Sequence, residues 1–536
     1  MAASILTRGS STLESLTKRS RPQVQIDLAG QKQGLVNSYT TGDRIVGTVN
    51  ITVDHDVRFD EIDITLEGTS RTTVERVSMP GRTGAYQTFL KLRQPIDRSA
   101  YPTPRVFESG RSYRFPFEFV VPDRLLPQVC KHQKTNAHVE SSHTLLPPTM
   151  GDPMLASNGK SLLDDLTPEM CQISYLVRAT VLRRPAVQGE HIRTVVSVGK
   201  KVRVVPVVEE EPPLNIADDD RTYCLRKEKD VKRGLMRGKL GRLVVATSQP
   251  KPIQLPAPTT ASPDSVNTVT TVHLRFDPVG NEQPPRLGSV WSKLKATTYY
   301  SAIPWSDYPN QSGTMLWTQV GRGLYNETIP LSTLCVASAQ WTKHSTADDT
   351  NALIRRDSLQ SNSSAESLTG PSASFAGSTY YTASVVVPIS LPKEKSFVPT
   401  FHSCLTSRVY QLDLSISYHT PNAHILTPTA SLSVPIQFTS LPPADKATKP
   451  SSPVHIITQE EVDQEFFNPR SVAPPSTPAP GYVDYTATAA AAAAVEIAPP
   501  EYSATRPVVS AHSRGILSTM SATTPYSAPG GRTACA

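Results

Sequence analysis

The sequence predicts an all-β protein: two tandem immunoglobulin-type β-sandwich domains followed by a disordered C-terminal tail. Three observations carry this prediction. Apolar and polar residues alternate at period two in one run after another up to Ser440, which is the pattern of strands with one face in a core and one in water. An acidic, proline-broken stretch, EEEPPLNIADDD at 209–220, divides these runs into two groups. The chain has 536 residues, too many for one core, and its 48 prolines beside 38% hydrophobic residues are the mark of long segments outside any core.

Residues 1–21 are rich in Arg and Ser, with Glu14 the only acid, and lack the apolar core and cleavage site of a secretory signal; a flexible N-terminus is expected, with a mitochondrial presequence as the alternative. The first sandwich is expected over 22–208. Ile45, Val49, Ile51 and Val53 alternate with Thr48, Asn50 and Thr52, and Ile62, Ile64 and Leu66 with Asp63, Thr65 and Glu67. Tyr113, Phe115, Phe117, Phe119 and Val121 share one face of a third run, and Ile173, Tyr175, Val177, Ala179 and Val181 one face of a fourth. A helix would scramble all four faces. Residues 125–168, rich in Pro, His, Ser and Asn, read as a long loop inserted between strands, and the last strands as Thr194–Val208.

After the 209–220 linker the alternation returns over 221–440, in Leu243–Thr247, Val269–Phe276, Leu331–Trp341, Tyr380–Leu391 and the run Tyr410, Leu412, Leu414, Ile416, Tyr418. A Ser/Asp/Asn-rich stretch, 343–378, reads as a loop insertion. The final run, Leu432, Val434, Ile436 and Phe438, contains Pro435, and because proline cannot donate to a ladder the strand is expected at a sheet edge. Residues 441–536 are Pro/Ser/Thr/Ala-rich, and the alanine run 489–494 is too short to hold a helix alone, so a disordered carrier of linear motifs is expected.

Charge, cysteine usage and hydropathy narrow the setting. Of the net +7, the tail from 441 holds six Lys/Arg against eight Asp/Glu, leaving the first 440 residues at about +9. Such an excess could favour anionic membrane surfaces, acidic protein segments or nucleic acid and by itself does not choose among them; nucleic acid is nonetheless not an expected partner of this chain. Six cysteines, at 130, 171, 224, 335, 404 and 535, form no CxxC pair and no disulfide framework, the usage of a reducing compartment. No apolar run is long enough to cross a bilayer, so a cytoplasmic location is expected and the sequons at Asn50, Asn310, Asn326 and Asn362 carry no weight.

The sharpest motif is Pro499-Pro500-Glu501-Tyr502, a PPxY sequence in the tail. A polyproline II helix repeats every three residues, so Pro499 and Tyr502 fall on one side, where they can fill the adjacent aromatic-lined grooves of a WW domain, with Pro500 between them. Pro480 and Tyr482 form a weaker second site that lacks the first proline. Arg355-Arg356-Asp357-Ser358 has the pattern of a phosphorylation site, and phosphorylated Ser358 would suit an Arg-lined reader such as a 14-3-3-type protein. The basic run at 226–242, with Lys232, Arg233, Arg237 and Lys239 at its centre, could touch lipid headgroups, although a solvated face and linker accounts for it more simply. Cys130, His132, His138 and His143 gather in the first insertion, but their spacing matches no standard zinc finger and histidines in a polar loop are usually only polar; no metal site and no cofactor are expected. The chain has no phosphate loop, GxSxG, HExxH or kinase signature, so no catalytic residues are assigned and an enzyme is not expected.

The segment Tyr113–Asp123 (YRFPFEFVVPD) and, after the insertion, Ser174–Pro185 (SYLVRATVLRRP) resemble the closing strands of the N-terminal domain of α-arrestins, the arrestin-related trafficking adaptors. Pro388–Pro392, Val398–Phe401, Ser407-Arg408 and the strand Tyr410–Tyr418 are similar to the C-terminal arrestin domain of filamentous-fungal members. The resemblance covers about residues 22–440 and implies two arrestin-like sandwiches. It also implies an adaptor that recruits a WW-domain HECT ubiquitin ligase to plasma-membrane transporters or receptors for endocytosis, working peripherally at the plasma membrane and endosomes. Pro499, Pro500 and Tyr502 would hold the ligase and the sandwich surfaces the cargo. Family members often carry several PPxY motifs, whereas this chain has one. The alternative is a β-sandwich trafficking scaffold that binds cargo or coat proteins without a ubiquitin ligase.

Overall fold

A computed structural model describes residues 22–31, 36–75, 81–152, 163–184, 191–217, 220–233, 238–256, 267–310, 321–346, 369–420 and 427–441, all within one compact unit; a second unit, Ser452–Ala536, lies outside them. Most of the regular structure in the described chain is strand, with little helix. Gln23–Leu28 (β1), Arg44–Thr52 (β3) and Ser112–Val120 (β8) form an antiparallel sheet in the order β1-β3-β8. Facing it is a five-stranded sheet of Ser38–Tyr39 (β2), Glu61–Glu75 (β5), Arg82–Gln94 (β6), Cys171–Arg183 (β9) and Arg193–Val204 (β10), in the order β2-β10-β9-β5-β6. Val57–Arg58 (β4) and Val106–Phe107 (β7) pair as a small ribbon at one end.

Alternation builds this sandwich as the pattern requires. In β8 the four even steps from Tyr113 to Phe119 are buried while Ser112, Arg114, Pro116, Glu118 and Val120 are exposed. Ile45, Val49 and Ile51 of β3 and Ile173, Tyr175, Val177, Ala179 and Val181 of β9 meet in the same core. One position in β3 has no room for a side chain: a Cβ on Gly47 would lie 2.4 Å from the Asp27 carbonyl oxygen and 2.4 Å from the Phe117 ring. Glycine there lets β1 and Phe117 close on β3.

The polar row of β5 departs from expectation. Thr65 and Glu67, which the alternation sends to water, are buried, because β5 is central and the long side chains of β6 and β9 lie over them. Glu67 is satisfied there by Arg178 Nε at 2.8 Å and the Thr65 hydroxyl at 3.1 Å, with Lys91 Nζ at 3.8 Å.

The later strands make a second pair of sheets. Arg226–Lys232 (β11), Lys239–Thr247 (β12), Asn267–Pro278 (β14), Thr342–Ser345 (β17) and Thr379–Ser390 (β18) run in the order β11-β12-β14-β18-β17. Arg286–Ser301 (β15), Arg322–Cys335 (β16), Phe401–His402 (β19), Thr406–His419 (β20) and Thr429–Ile436 (β21) form the other, in the order β16-β15-β20, with β19 and β21 both on the far side of β20. Ile253–Leu255 (β13) pairs in parallel with Phe438–Ser440 (β22). Tyr410, Leu412, Leu414, Ile416 and Tyr418 lie in the core between the sheets, as their alternation predicts. Pro435 sits on β21, whose ladder among the described residues is with β20 and whose other side is met by a single bridge from Cys224 to Ser433, so the missing donor lies on the side away from the β20 ladder.

Several features were not legible in the pattern. β15 is the longest strand of the second sandwich, yet bulges between Leu287 and Val290 and between Ser292 and Lys293 break its period-two signal. The run expected from Leu331 to Trp341 divides: β16 ends at Cys335 and Trp341 precedes β17. Within 125–152, expected as loop, the chain forms the helix Ala137–His143 (α1), capped by the Asn136 side chain accepting from Val139 N at 3.0 Å, and buries Leu146 and Met150 in the first core. The described part of the 209–220 connector is bound to the second sandwich. Gln437 exchanges two hydrogen bonds with the Glu211 backbone, at 3.0 and 2.9 Å, and Gln249 two with the Leu214 backbone, at 3.1 and 2.7 Å.

Candidate functional site

The two sandwiches meet along a junction in which apolar contacts, Tyr300, Val398 and Phe401 packed into the first core and Leu166 into the second, lie beside two polar side-chain clusters. Arg408 on β20 is completely buried and reaches into the 164–167 segment that precedes β9. Its Nη1 donates to the Asp165 carbonyl at 3.1 Å, and its Nη2 to the Leu166 carbonyl at 3.1 Å and the Thr167 hydroxyl at 2.9 Å. The segment is shaped to receive it: Leu166 takes a left-handed φ of 61°, and the Asp165 carboxylate accepts from Gly151 N at 2.6 Å and Thr167 N at 3.2 Å. Around this anchor Lys395 Nζ pairs with Asp164 at 2.6 Å, Arg203 donates to the Ser396 hydroxyl at 3.1 Å and the Thr72 hydroxyl to the Ser301 carbonyl at 2.6 Å. The Lys395 hydrogen bond holds the Asp164 carboxyl below its ordinary value against the opposing effect of partial burial. A cleft of about 610 Å³ opens beside these residues, lined by Thr149, Asp165, Arg203 and Val398 among others.

A second cluster lies elsewhere in the junction. The chain leaving β8 turns at Cys130, and α1 then presents His143 from its last turn back toward that thiol. Cys404, in the tight turn between β19 and β20, closes the group from the other sandwich. Cys130, His143 and Cys404 are 2–4% exposed and His132 is half-buried. Cys130 Sγ lies 3.7 Å from the His132 ring nitrogens and 3.6 Å from His143 Nδ1, and one donor atom from each of the four residues lies within 4.8 Å of all the others. His132 Nε2 is 2.8 Å from the Trp305 carbonyl, and Trp305 N donates to the Cys404 carbonyl at 2.9 Å, so the 305 segment backs both ligand-bearing turns. Thr135 N to the Ser306 carbonyl at 2.9 Å and Ser142 Oγ to Tyr308 Oη at 2.7 Å extend the same seam. Burial, with His132 and Lys134 nearby, pushes His143 down to about 4, so its imidazole is neutral at physiological pH. Burial and the neighbouring Cys130 push the Cys404 thiol up to about 12. His138, grouped with these residues by sequence, is exposed on the outer side of α1 and does not join them.

The other residues singled out by sequence divide in two. Pro499, Pro500, Tyr502, Pro480, Tyr482, Ser358 and Arg237 lie outside the described residues. Lys232, Arg233 and Lys239 sit around the β11–β12 turn among acids: Arg233 pairs with Glu282 at 2.6 Å, Lys239 with Asp230 at 2.8 Å, and Lys232 is close enough to Asp230 to lower its pKa along with Lys239 and Arg242. Arg242 lies 3.1 Å from Glu228, which also pairs with Arg226. The run is therefore a mosaic of alternating charge on the folded surface, because β11 sets Asp230 directly opposite Arg242 of β12 and Glu228 reaches the same Arg242 diagonally. Sequence reasoning missed Arg408 as an anchor and Cys404 as a neighbour of the histidines. Nothing near Cys404 in the chain could have signalled it.

Residues 25–204 match the family described as arrestin (or S-antigen), N-terminal domain. No curated protein matches the chain.

Proposed function

With residues 25–204 forming an arrestin-like N-terminal domain, we propose that this chain is a trafficking adaptor that uses its tail to recruit a WW-domain HECT ubiquitin ligase and its sandwiches to engage membrane transporters or receptors. An arrestin-type domain supports an adaptor or scaffold role in general and is typically non-enzymatic. The observation that carries the finer reading is the position of Pro499-Pro500-Glu501-Tyr502, a complete WW-binding sequence C-terminal to the last strand of a two-sandwich body, β22. A rigid body with a separate short motif is the arrangement by which one chain joins a ligase to a cargo. No helix among the described residues is long and apolar enough to cross a membrane, which suits peripheral recruitment from the cytoplasm to the plasma membrane and endosomes. Ser358, once phosphorylated, would add a site for a 14-3-3-type reader, and Lys232, Arg233, Arg237 and Lys239 a modest membrane contact, since their acidic neighbours offset much of the attraction.

The test is binding of a purified multi-WW fragment of a HECT ligase to the full chain and to Tyr502→Ala. Emptying one groove is expected to weaken binding at least about tenfold, equivalent to about 1.4 kcal/mol. Tyr482→Ala should cost less. No binding by the wild type, or equal binding by Tyr502→Ala, would leave the ligase-free scaffold as the function.

A further inference from the structure

We propose that Cys130, His132, His143 and Cys404 form a structural zinc site that staples the two sandwiches together. Zinc in such sites is tetrahedral, with Zn–S near 2.3 Å and Zn–N near 2.0–2.1 Å, which sets the S···N edge of the tetrahedron at about 3.6 Å. The observed separations from Cys130 Sγ, 3.6 Å to His143 Nδ1 and 3.7 Å to His132, fall on that edge, with every pair of the four donors inside 4.8 Å. Two thiolates and two neutral imidazoles are a donor set suited to zinc and balance its charge in a buried place.

The surroundings are those of a ligand site rather than of a chance cluster. His132 offers Nε2–H to the Trp305 carbonyl at 2.8 Å, which fixes the tautomer and leaves the Nδ1 lone pair for the metal, the usual arrangement around a metal-bound histidine. Three ligands are nearly fully buried. No carboxylate belongs to the group, so a hard cation such as calcium or magnesium is disfavoured. Three ligands come from the segment between β8 and β9 and the fourth from the β19–β20 turn, so the ion would hold α1 and its flanks against the second sandwich. A structural site of this kind contributes folding free energy directly. Here that energy would go to the docking of one sandwich on the other, since neither core contains the four residues apart from this contact.

The experiment is zinc content by plasma mass spectrometry of the full chain, purified in reductant without chelator and reconstituted with one equivalent of zinc before desalting. About one zinc per chain is expected, with X-ray absorption showing two sulfur and two nitrogen neighbours at about the distances above. Cys404→Ser and His143→Ala should lose zinc at least tenfold, while His138→Ala should keep it. Should the ligand variants fail to fold, cobalt substitution of the wild type decides: a tetrahedral d–d spectrum with thiolate charge transfer is expected. Chelation should raise amide exchange at least tenfold in 130–143 and 402–405. The proposal is overturned by a wild type holding less than a tenth of an equivalent, by zinc retained in Cys404→Ser, by exchange that chelation leaves unchanged, or by a Cys130–Cys404 disulfide found in reductant.

Discussion

The interiors of the two sandwiches and the junction between them are built on different chemistry. Inside each sandwich, residues that meet are apolar, recur every second position, and are drawn together by removal of area from water, without regard to direction. At the junction, beside apolar contacts such as Val398 and Phe401 on the first core, the meeting groups include a guanidinium, carbonyls, an ion pair, thiols and imidazoles, whose strength depends on distance and angle. The difference teaches where tolerance to substitution should lie. A core position accepts another apolar residue of like volume, whereas a buried polar junction position accepts almost none, because a buried polar group that loses its partner bears the full cost of desolvation.

Substitutions that cross this divide should have the largest effects. Val177→Asp places a carboxylate in the first core, where Val177 is completely buried between β5 and β10, and should cost about 5 kcal/mol or more, enough to abolish cooperative thermal unfolding of that sandwich. Arg408→Ala leaves the Asp165 and Leu166 carbonyls without their donor and opens a cavity, for an expected loss of about 3 kcal/mol in chemical denaturation. Arg408→Met, near in volume, should recover little of it, because the orphaned carbonyls remain. That outcome is the sharpest discriminator, since a core-like junction would tolerate the exchange. Leu412→Ala in the second core should cost about 2–4 kcal/mol. Gly47→Ala should cost about 2 kcal/mol, since the Asp27 carbonyl it meets belongs to a paired strand and cannot swing away. Lys395→Ala should cost under about 1 kcal/mol: the Asp164 partner is half exposed, and solvent screens the pair.

The apolar half of this molecule is easy to find in its sequence because alternation is local. A reader of Tyr113–Val121 needs only nine residues to infer a strand and its inner face, and the structure buries those same side chains. Where the signal failed, a specific distortion interrupted it. Bulges hid β15, and the burial of Thr65 and Glu67 depends on neighbours across the sheet rather than on β5 itself. Cys130, His132 and His143 were visible as a group, but His138, which had equal standing by spacing, points away, because a helix puts 138 and 143 on different sides.

By itself the amino-acid sequence determined the fold class, the edge position of the proline-bearing last long strand, and the presence of the PPxY sequence, since each depends on residues a few positions apart. Only the tertiary structure decided that Arg408 would anchor the 164–167 segment and that Cys404 would complete the Cys-His cluster. Those partners lie on different sandwiches, and their meeting follows from how two finished domains dock, a long-range geometry that no short stretch of the chain encodes.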